Sequence, residues 1–242
     1  MMPNLMTPPA RPLSRLSGHA LRRSVARLSG PLLASVIAGL PLSALAQETA
    51  PAAGMTTGEA DVATPVDLKG PEAFADIEDE ATRSAALFTE MGKVIESPRC
   101  LNCHPVTGGP LQGDAMHPHV PPMERGVADF GPDGLACTTC HGMENVEYAS
   151  GAGSIPGNPE WALAPVEMGW VGLPLSEICA QIKDPERNGG KDLEALYEHN
   201  AENVLVGWGW EPGAGRTPAP GSQEIFGQLT RAWIDSGAAC PS

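Results

Sequence analysis

The chain is short of aromatic residues, basic residues and histidines. Of its 242 residues, 5% are aromatic, 15 are Lys or Arg and six are His, against 29 Asp or Glu. The shortage of positive charge argues against nucleic acid or an anionic lipid surface as partner, since both are bound through basic side chains. Gly and Pro are abundant, at 28 and 25 residues, which predicts many turns and little regular secondary structure.

Long apolar runs are missing beyond the first 46 residues. Within that segment, five Arg precede the run PLLASVIAGLPLSALA, which ends in Ala44-Leu45-Ala46. A positive segment, an apolar segment and an A-x-A site are typical of a cleaved secretory signal. The competing interpretation is a retained anchor, but the run is short for a span, and Gly39 and Pro41 interrupt it. We expect residues 1–46 to be removed on export to the periplasm, leaving no stable membrane insertion.

Export makes the chain more acidic, because the signal segment holds five of the 15 basic residues. The formal net charge then falls from −14 to −19. An acidic surface of this kind can dock against a basic face of a partner protein, or it can simply be solvated. Residues 47–70 are small, polar and punctuated by Pro, which predicts a disordered linker. Residues 71–242 are then expected to form one domain.

Four of the six cysteines lie in two copies of one motif, CLNCH and CTTCH. C-x-x-C-H is the attachment motif of c-type haem, in which the two thiols bond the porphyrin and the adjacent His binds the iron. The cofactor predicted is therefore two covalent haems, which would also supply the apolar bulk that the chain lacks. The predicted attachment residues are Cys100, Cys103, Cys137 and Cys140, and the predicted iron ligands are His104 and His141.

Two other uses of these cysteines compete with haem. A zinc site can be built from two C-x-x-C pairs, and each pair can also close as a disulfide. Zinc needs no His after each pair, whereas both pairs here have one, and the distance between the pairs is longer than in the usual zinc ribbon. The predicted export agrees with haem, since haem of this kind is attached outside the cytoplasm.

The second axial ligands are sought among the remaining His and Met residues. The stretch GDAMHPHVPPMERG, residues 113–126, holds two His, two Met and three Pro. Its prolines make a regular helix or a central strand unfavourable. We predict His119, stiffened by neighbouring prolines, as one ligand and Met168, in the loop LAPVEMGW, as the other. His199 and Met116 are the alternatives, and which iron each ligand serves stays open. One haem would then be His/Met and the other bis-His.

Helical patterns dominate the rest of the chain. Apolar residues recur at helical spacing in four segments: residues 79–97, 174–184 with Ser176 as N-cap, 191–200, and 222–237 with Ser222 as N-cap. No segment alternates as a strand does. The expected fold is mainly α and loop-rich, a dihaem cytochrome c domain whose short helices pack around two porphyrins. Arg125 and Arg216 are candidates to pair with haem propionates.

Two cysteines remain outside the motifs. Cys179 lies on a predicted helix and Cys240 follows the last one. In an oxidising compartment the default for such a pair is a disulfide, and the alternative is two buried thiols.

Several segments together resemble one known family. They are CLNCHP, GDAMHPHVPPMERG, CTTCHG, LAPVEMGW, EICAQIKDPERNGGK, LVGWGWEPGAGRTPAPG and AWIDSGAACP. Over roughly residues 72–241 the chain resembles a family of exported dihaem proteins often described as an isoquinoline 1-oxidoreductase subunit. The resemblance implies a protein that accepts electrons from an exported oxidoreductase of the molybdenum hydroxylase type. It does not imply that this chain binds isoquinoline or is itself an enzyme.

Two other functions stay open. A dihaem enzyme with an open iron position would act on a small molecule such as a sulfur compound or peroxide, although dihaem peroxidases have more widely separated motifs. The small subunit of periplasmic nitrate reductase also carries a ligand His between its motifs. That family uses a further His upstream of the first motif, and the sole upstream histidine here is His19, in the signal segment.

Overall fold

The computed structural model describes residues 67–242. The predicted signal segment and residues 47–66 of the predicted linker therefore lie outside the described residues. Packing begins before the predicted boundary at residue 71. Leu68 is 3% exposed, and a Cβ added at Gly221 would lie 2.5 Å from its Cβ. The backbone N–H of Lys69 donates to the carboxylate of Glu90 at 2.8 Å. The last residues of the predicted linker thus belong to the folded domain.

Helices provide the regular structure, and long loops provide the rest. The α-helices of the described residues are α1 (Glu80–Ile95), α2 (Pro98–Leu101), α3 (Leu175–Ile182), α4 (Leu193–Glu202), α5 (Val204–Gly207) and α6 (Gln223–Asp235). Single 3-10 turns cover Pro71–Phe74, Cys137–Thr139, Val166–Met168 and Trp208–Trp210. The prediction of a mainly α, loop-rich chain is confirmed at this level.

The two longest helices form as their sequences predict. The side chain of Asp79 caps α1 by accepting from the Thr82 backbone N–H at 2.8 Å, and Ser222 caps α6 in the same way. Each helix buries one apolar face, and the faces meet where Phe88 and Trp233 pack with ring centroids 5.0 Å apart. This contact is the centre of the core, because both side chains are fully buried.

The start of α3 differs from its prediction. The helix begins at Leu175, two residues earlier than a Ser176 cap allows, and Pro174 occupies the N-cap position. No side chain caps this end. Pro174 supplies a carbonyl for the first turn while lacking the N–H that a helix start leaves unpaired. The predicted Ser176 cap is therefore wrong, since Ser176 already lies inside the helix.

The predicted disulfide is confirmed. Cys179 on α3 is bonded to Cys240, with the Cα atoms 5.7 Å apart. The bond ties the C-terminal residues to α3, and Cys179 is completely buried at that point. The chain after α6 is thereby held against the core.

Strands occur as two antiparallel pairs of two residues each. β1 (Leu111–Gln112) pairs with β2 (His117–Pro118), and β3 (Val146–Glu147) pairs with β4 (Ser154–Ile155). Pro118 is tolerated in β2 because a lone pair of strands leaves its missing N–H on an open edge. Among residues 67–242, no helix is long and apolar enough to cross a bilayer.

Candidate functional site

The first C-x-x-C-H motif follows α1, where Ser97 and Pro98 turn the chain into α2. The backbone N–H groups of Cys103 and His104 both donate to the carbonyl of Cys100, at 3.0 and 3.1 Å. Residues three and four positions apart share one face of such a helical turn. The two thiols and the imidazole therefore lie on one side of the chain, where a single group can contact all three.

That side of the motif faces a cavity. Its volume is about 250 Å³, just below the roughly 300–1,000 Å³ of ordinary ligand pockets. The wall is mainly apolar and includes Trp208, Trp210 and Phe226. Arg99 and Lys191 are the charged side chains that the described residues contribute, and no Asp or Glu lines it. In a chain with 29 acidic and 15 basic residues, this lining favours an apolar ligand that carries negative charge.

His104 is held rigidly in the cavity wall. Its Nδ1 lies 2.7 Å from the backbone carbonyl oxygen of Met168, and since a carbonyl only accepts, Nδ1 carries the proton. Its ring stacks on Trp170, with centroids 3.5 Å apart and planes 7° from parallel. Burial lowers the pKa of His104 to about 3. The unprotonated Nε2 of a neutral, oriented imidazole is the form that binds a metal.

A second histidine, His199 of α4, lines the same cavity. Burial is the main cause that lowers its pKa to about 4, so this imidazole is also neutral at physiological pH. His104 and His199 are 95 positions apart in the chain and meet only through the fold. The cavity thus brings together two thiols, two neutral imidazoles and an apolar wall.

Met168, predicted as an axial ligand, lies at the other edge of His104. A His that binds a metal through Nε2 points its Nδ1 away from that metal, and the backbone of Met168 sits at Nδ1. Met168 also lines the cavity that His104 and His199 line, so its role as an axial ligand stays a prediction. Its side chain is 7% exposed and belongs to the hydrophobic core.

The second motif repeats the arrangement of the first. The N–H groups of Cys140 and His141 donate to the carbonyl of Cys137 at 3.2 and 3.0 Å. Nδ1 of His141 lies 2.8 Å from the carbonyl oxygen of Pro156, and the ring stacks on Trp161 with centroids 4.6 Å apart. Burial lowers the pKa of His141 below its usual range. Both motif histidines are thus oriented by a backbone carbonyl and a Trp ring.

His119 lies close to His141, at a distance that a shared metal would allow. The ring centroids are 5.9 Å apart and the planes 68° from parallel. Two imidazoles that bind one metal from opposite sides, with bonds of about 2 Å each, have centroids about 6 Å apart. Nδ1 of His119 contacts the carbonyl of Pro121 at 2.8 Å, which leaves Nε2 free. His117, two residues earlier, is exposed and turns its Nδ1 to the carbonyl of Pro118 at 2.9 Å.

Exposed apolar side chains concentrate around the second motif. Of the 11 large hydrophobic residues that are exposed in residues 67–242, ten fall between residues 106 and 166. They include Val127 at 98%, Met143 at 74% and Phe130 at 54% exposure. Soluble proteins seldom leave so many apolar groups together in water. These exposed side chains are therefore compatible with an apolar group that is bound at the second motif and covers some of them.

The two arginines predicted to hold propionates are engaged elsewhere. The guanidinium of Arg125 pairs with Asp129 and donates to the carbonyl of Ala164, and that of Arg216 donates to Ser154 and to the carbonyl of Pro212. Arg99 faces the cavity instead: its side chain is 1% exposed, and its Nε has no partner. The signal for Arg99 in the sequence was its place directly before Cys100.

A metal site built from protein ligands alone is not seen in the described part of the chain. No three His, Cys, Asp or Glu side chains converge there as such a site requires. Burial also raises the pKa of the Cys100 thiol to about 12 and that of Cys103 to about 11.

The two centres are therefore defined by their own geometry, each with a C-x-x-C-H turn, a carbonyl-oriented imidazole and a second histidine, which lines the same cavity in one case and lies 5.9 Å away in the other. We call the cavity with His104 and His199 the first centre, and the pair His141 and His119 the second centre. In comparisons with known proteins, no family model, no curated protein and no solved structure matches the chain.

Proposed function

We propose that the chain is a periplasmic dihaem c-type cytochrome that carries single electrons. Haem would be attached through Cys100 and Cys103 at the first centre, and through Cys137 and Cys140 at the second. The axial ligands would be His104 with His199 and His141 with His119, so that both centres are bis-His. This replaces the predicted His/Met centre.

One observation carries the proposal. Each C-x-x-C-H turn presents its His in the same way, with Nδ1 on a backbone carbonyl and the ring on a Trp, and a second histidine belongs to each site. Metal binding at both histidines explains this repetition, because a metal-binding His is commonly fixed by a hydrogen bond from its other nitrogen. A porphyrin brings its own ring of nitrogens, so two protein ligands complete each iron. A haem site therefore does not need a cluster of three or more metal ligands from the protein.

The residues of the chain have separate tasks in such a carrier. A bound haem supplies reversible one-electron chemistry at its iron. The carbonyls of Met168 and Pro156 fix the ring orientation and raise the donor strength of His104 and His141. Arg99 and Lys191 supply positive charge to the carboxylates of the cofactor. The apolar wall of the first cavity excludes water. This limits the reorganisation of solvent that accompanies each electron transfer.

Carrying electrons fits these centres better than catalysis. Each centre holds two histidines, and if both bind the iron, neither centre would leave an open iron position for a small substrate. A dihaem enzyme would need one centre without a second ligand. The proposal therefore assigns the chain no catalytic residues of its own.

The electron partner we propose is an exported oxidoreductase of the molybdenum hydroxylase type, for which this chain would accept electrons. The resemblance of the quoted segments and the predicted export signal support this partner. The second centre is the more exposed of the two, since Cys140 is exposed and Cys100 is partly buried. Residues 105–166 around it contain seven acidic residues and one basic residue. This surface suits a partner with basic contacts, which would steer the encounter.

Haem attachment tests the proposal directly. Expressed with a periplasmic haem-attachment system, the mature chain should keep two haems after denaturation, measured by mass and by absorption of the alkaline pyridine complex. The variant Cys137→Ala/Cys140→Ala should retain one. The matched control Cys179→Ala/Cys240→Ala also loses two cysteines and should retain both. A wild-type protein that contains zinc or no haem contradicts the proposal.

The second centre has its own test in His119→Ala. We expect one of the two ferric irons to become high-spin and to bind carbon monoxide when reduced, because the iron of the second centre has lost the imidazole of His119 as a ligand. Electron paramagnetic resonance and carbon monoxide titration measure both effects. His117→Ala, two residues away and exposed, should keep two low-spin irons. If His117→Ala alone changes the spin state, the ligand assignment is reversed.

A further inference from the structure

The segment that carries His119 is anchored to the first centre. The ribbon formed by β1 and β2 begins where the N–H of Leu111 donates to the carbonyl of Asn102 at 3.1 Å. The side-chain amide of Asn102 in turn donates to the carbonyl of Gly113 at 3.0 Å. Asn102 lies between the two cysteines of the first motif and is buried. A residue of the first motif therefore holds the ribbon at both ends of β1.

Asp114 makes a second anchor at the turn of the ribbon. Its carboxylate accepts from the Arg99 guanidinium at 2.7 Å, and Arg99 is part of the first cavity wall. The same carboxylate accepts from the hydroxyl of Thr217 at 2.7 Å and from its backbone N–H at 3.1 Å. A charged pair with one member buried holds its geometry more firmly than an exposed pair. Asp114 thus joins the ribbon to two other parts of the chain.

The ribbon fixes the backbone on both sides of His119. The N–H of His119 donates to the carbonyl of Pro110 at 3.2 Å, just before β1. The N–H of Val120 donates to the side-chain oxygen of Gln112 at 2.9 Å, within β1. The position of this imidazole is therefore set by β1, and β1 is set by the first motif.

We infer that Asp114 and Asn102 are positioning residues for the second centre, although both contact the first. They hold His119 opposite His141 through the ribbon, so that ligation of the second iron depends on an intact wall of the first cavity. The inference rests on the proposed function, because it concerns the axial ligand of a haem. It adds that the two centres form one structural unit.

Asp114→Ala provides the test in the haem-loaded, full-length mature protein. We expect a fraction of the second iron to become high-spin and to bind carbon monoxide, while both haems stay attached. Asp114→Glu, which keeps the charge, should restore most of the low-spin signal. Glu124→Gln is the control, since this exposed residue of the same loop makes no side-chain hydrogen bond within the described residues, and it should match the wild type. Thr217→Val, a milder change, should move the spin state in the same direction if Asp114→Ala does not fold.

A double variant identifies which iron responds. If Asp114 acts through His119, adding Asp114→Ala to His119→Ala produces no further high-spin iron, because the second centre has already lost that ligand. High-spin signals from both irons in the double variant would place the effect at the first centre and overturn the inference. Unchanged low-spin spectra in Asp114→Ala and Thr217→Val would overturn it as well. A wild-type protein without two low-spin haems would overturn the proposed function instead, so the two failures are distinguishable.

Discussion

Replacing His199 with Ala should convert the first iron from a low-spin to a high-spin state, while Met168→Leu leaves it low-spin. His199 and Met168 both line the cavity with His104, and the backbone carbonyl of Met168 lies at Nδ1 of His104, on the edge of the ring away from a metal bound at Nε2. Loss of the imidazole leaves an apolar cavity in which a small molecule can reach the iron. Reduced His199→Ala should therefore bind carbon monoxide at one iron, and the wild type at neither. Ferric electron paramagnetic resonance and carbon monoxide titration measure the change.

The control for this variant is on the same helix. Glu198 precedes His199 on α4 and is exposed, so Glu198→Ala alters the helix without altering the cavity. It should keep two low-spin irons. The wild-type spectrum should also lack the near-infrared band of Met-ligated ferric haem. If that band is present and disappears in Met168→Leu, Met168 is a ligand after all and His199 is a residue of the cavity wall.

Removing the disulfide should cause the largest loss of stability. Cys179 and Cys240 are 61 positions apart, and in the chain-entropy model a loop of this length stabilises the folded state by about 4 kcal/mol. That is a large share of the roughly 5–15 kcal/mol by which domains are stable. Cys179→Ala/Cys240→Ala should therefore unfold at clearly lower guanidinium concentration. Unfolding followed by fluorescence and by haem absorption gives the difference.

A reductant supplies the matched comparison for this effect. Mild reduction should destabilise the wild type to the level of the double variant and leave the double variant unchanged, because thioether bonds to haem are not reduced under these conditions. Haem content should be equal in all samples. Equal stability of wild type and variant would show that the haems and the core of α1 and α6 hold the C-terminal residues without the bond.

The sequence determined the features that depend on neighbouring residues. The two C-x-x-C-H motifs fix the spacing of thiols and imidazole within one turn. The caps at Asp79 and Ser222 and the apolar faces of α1 and α6 act within a few residues. Cysteine pairing outside the motifs was also predictable, since a single pair was left. The cap at Ser176 failed because Pro174 gave the helix an earlier start.

Only the tertiary structure decided which distant residues lie at each motif. Met168 was the predicted ligand and His199 the alternative; both line the first cavity, and no local pattern separates them, since their roles depend on how α4 and the loop before α3 fold onto the first motif. Arg99 lines this cavity, and Arg125 and Arg216 do not, for the same reason. The spacing of residues along the sequence determines which side chains meet within one turn of the chain. The partners across a cavity depend on packing between segments far apart in the chain, and no spacing rule records that packing.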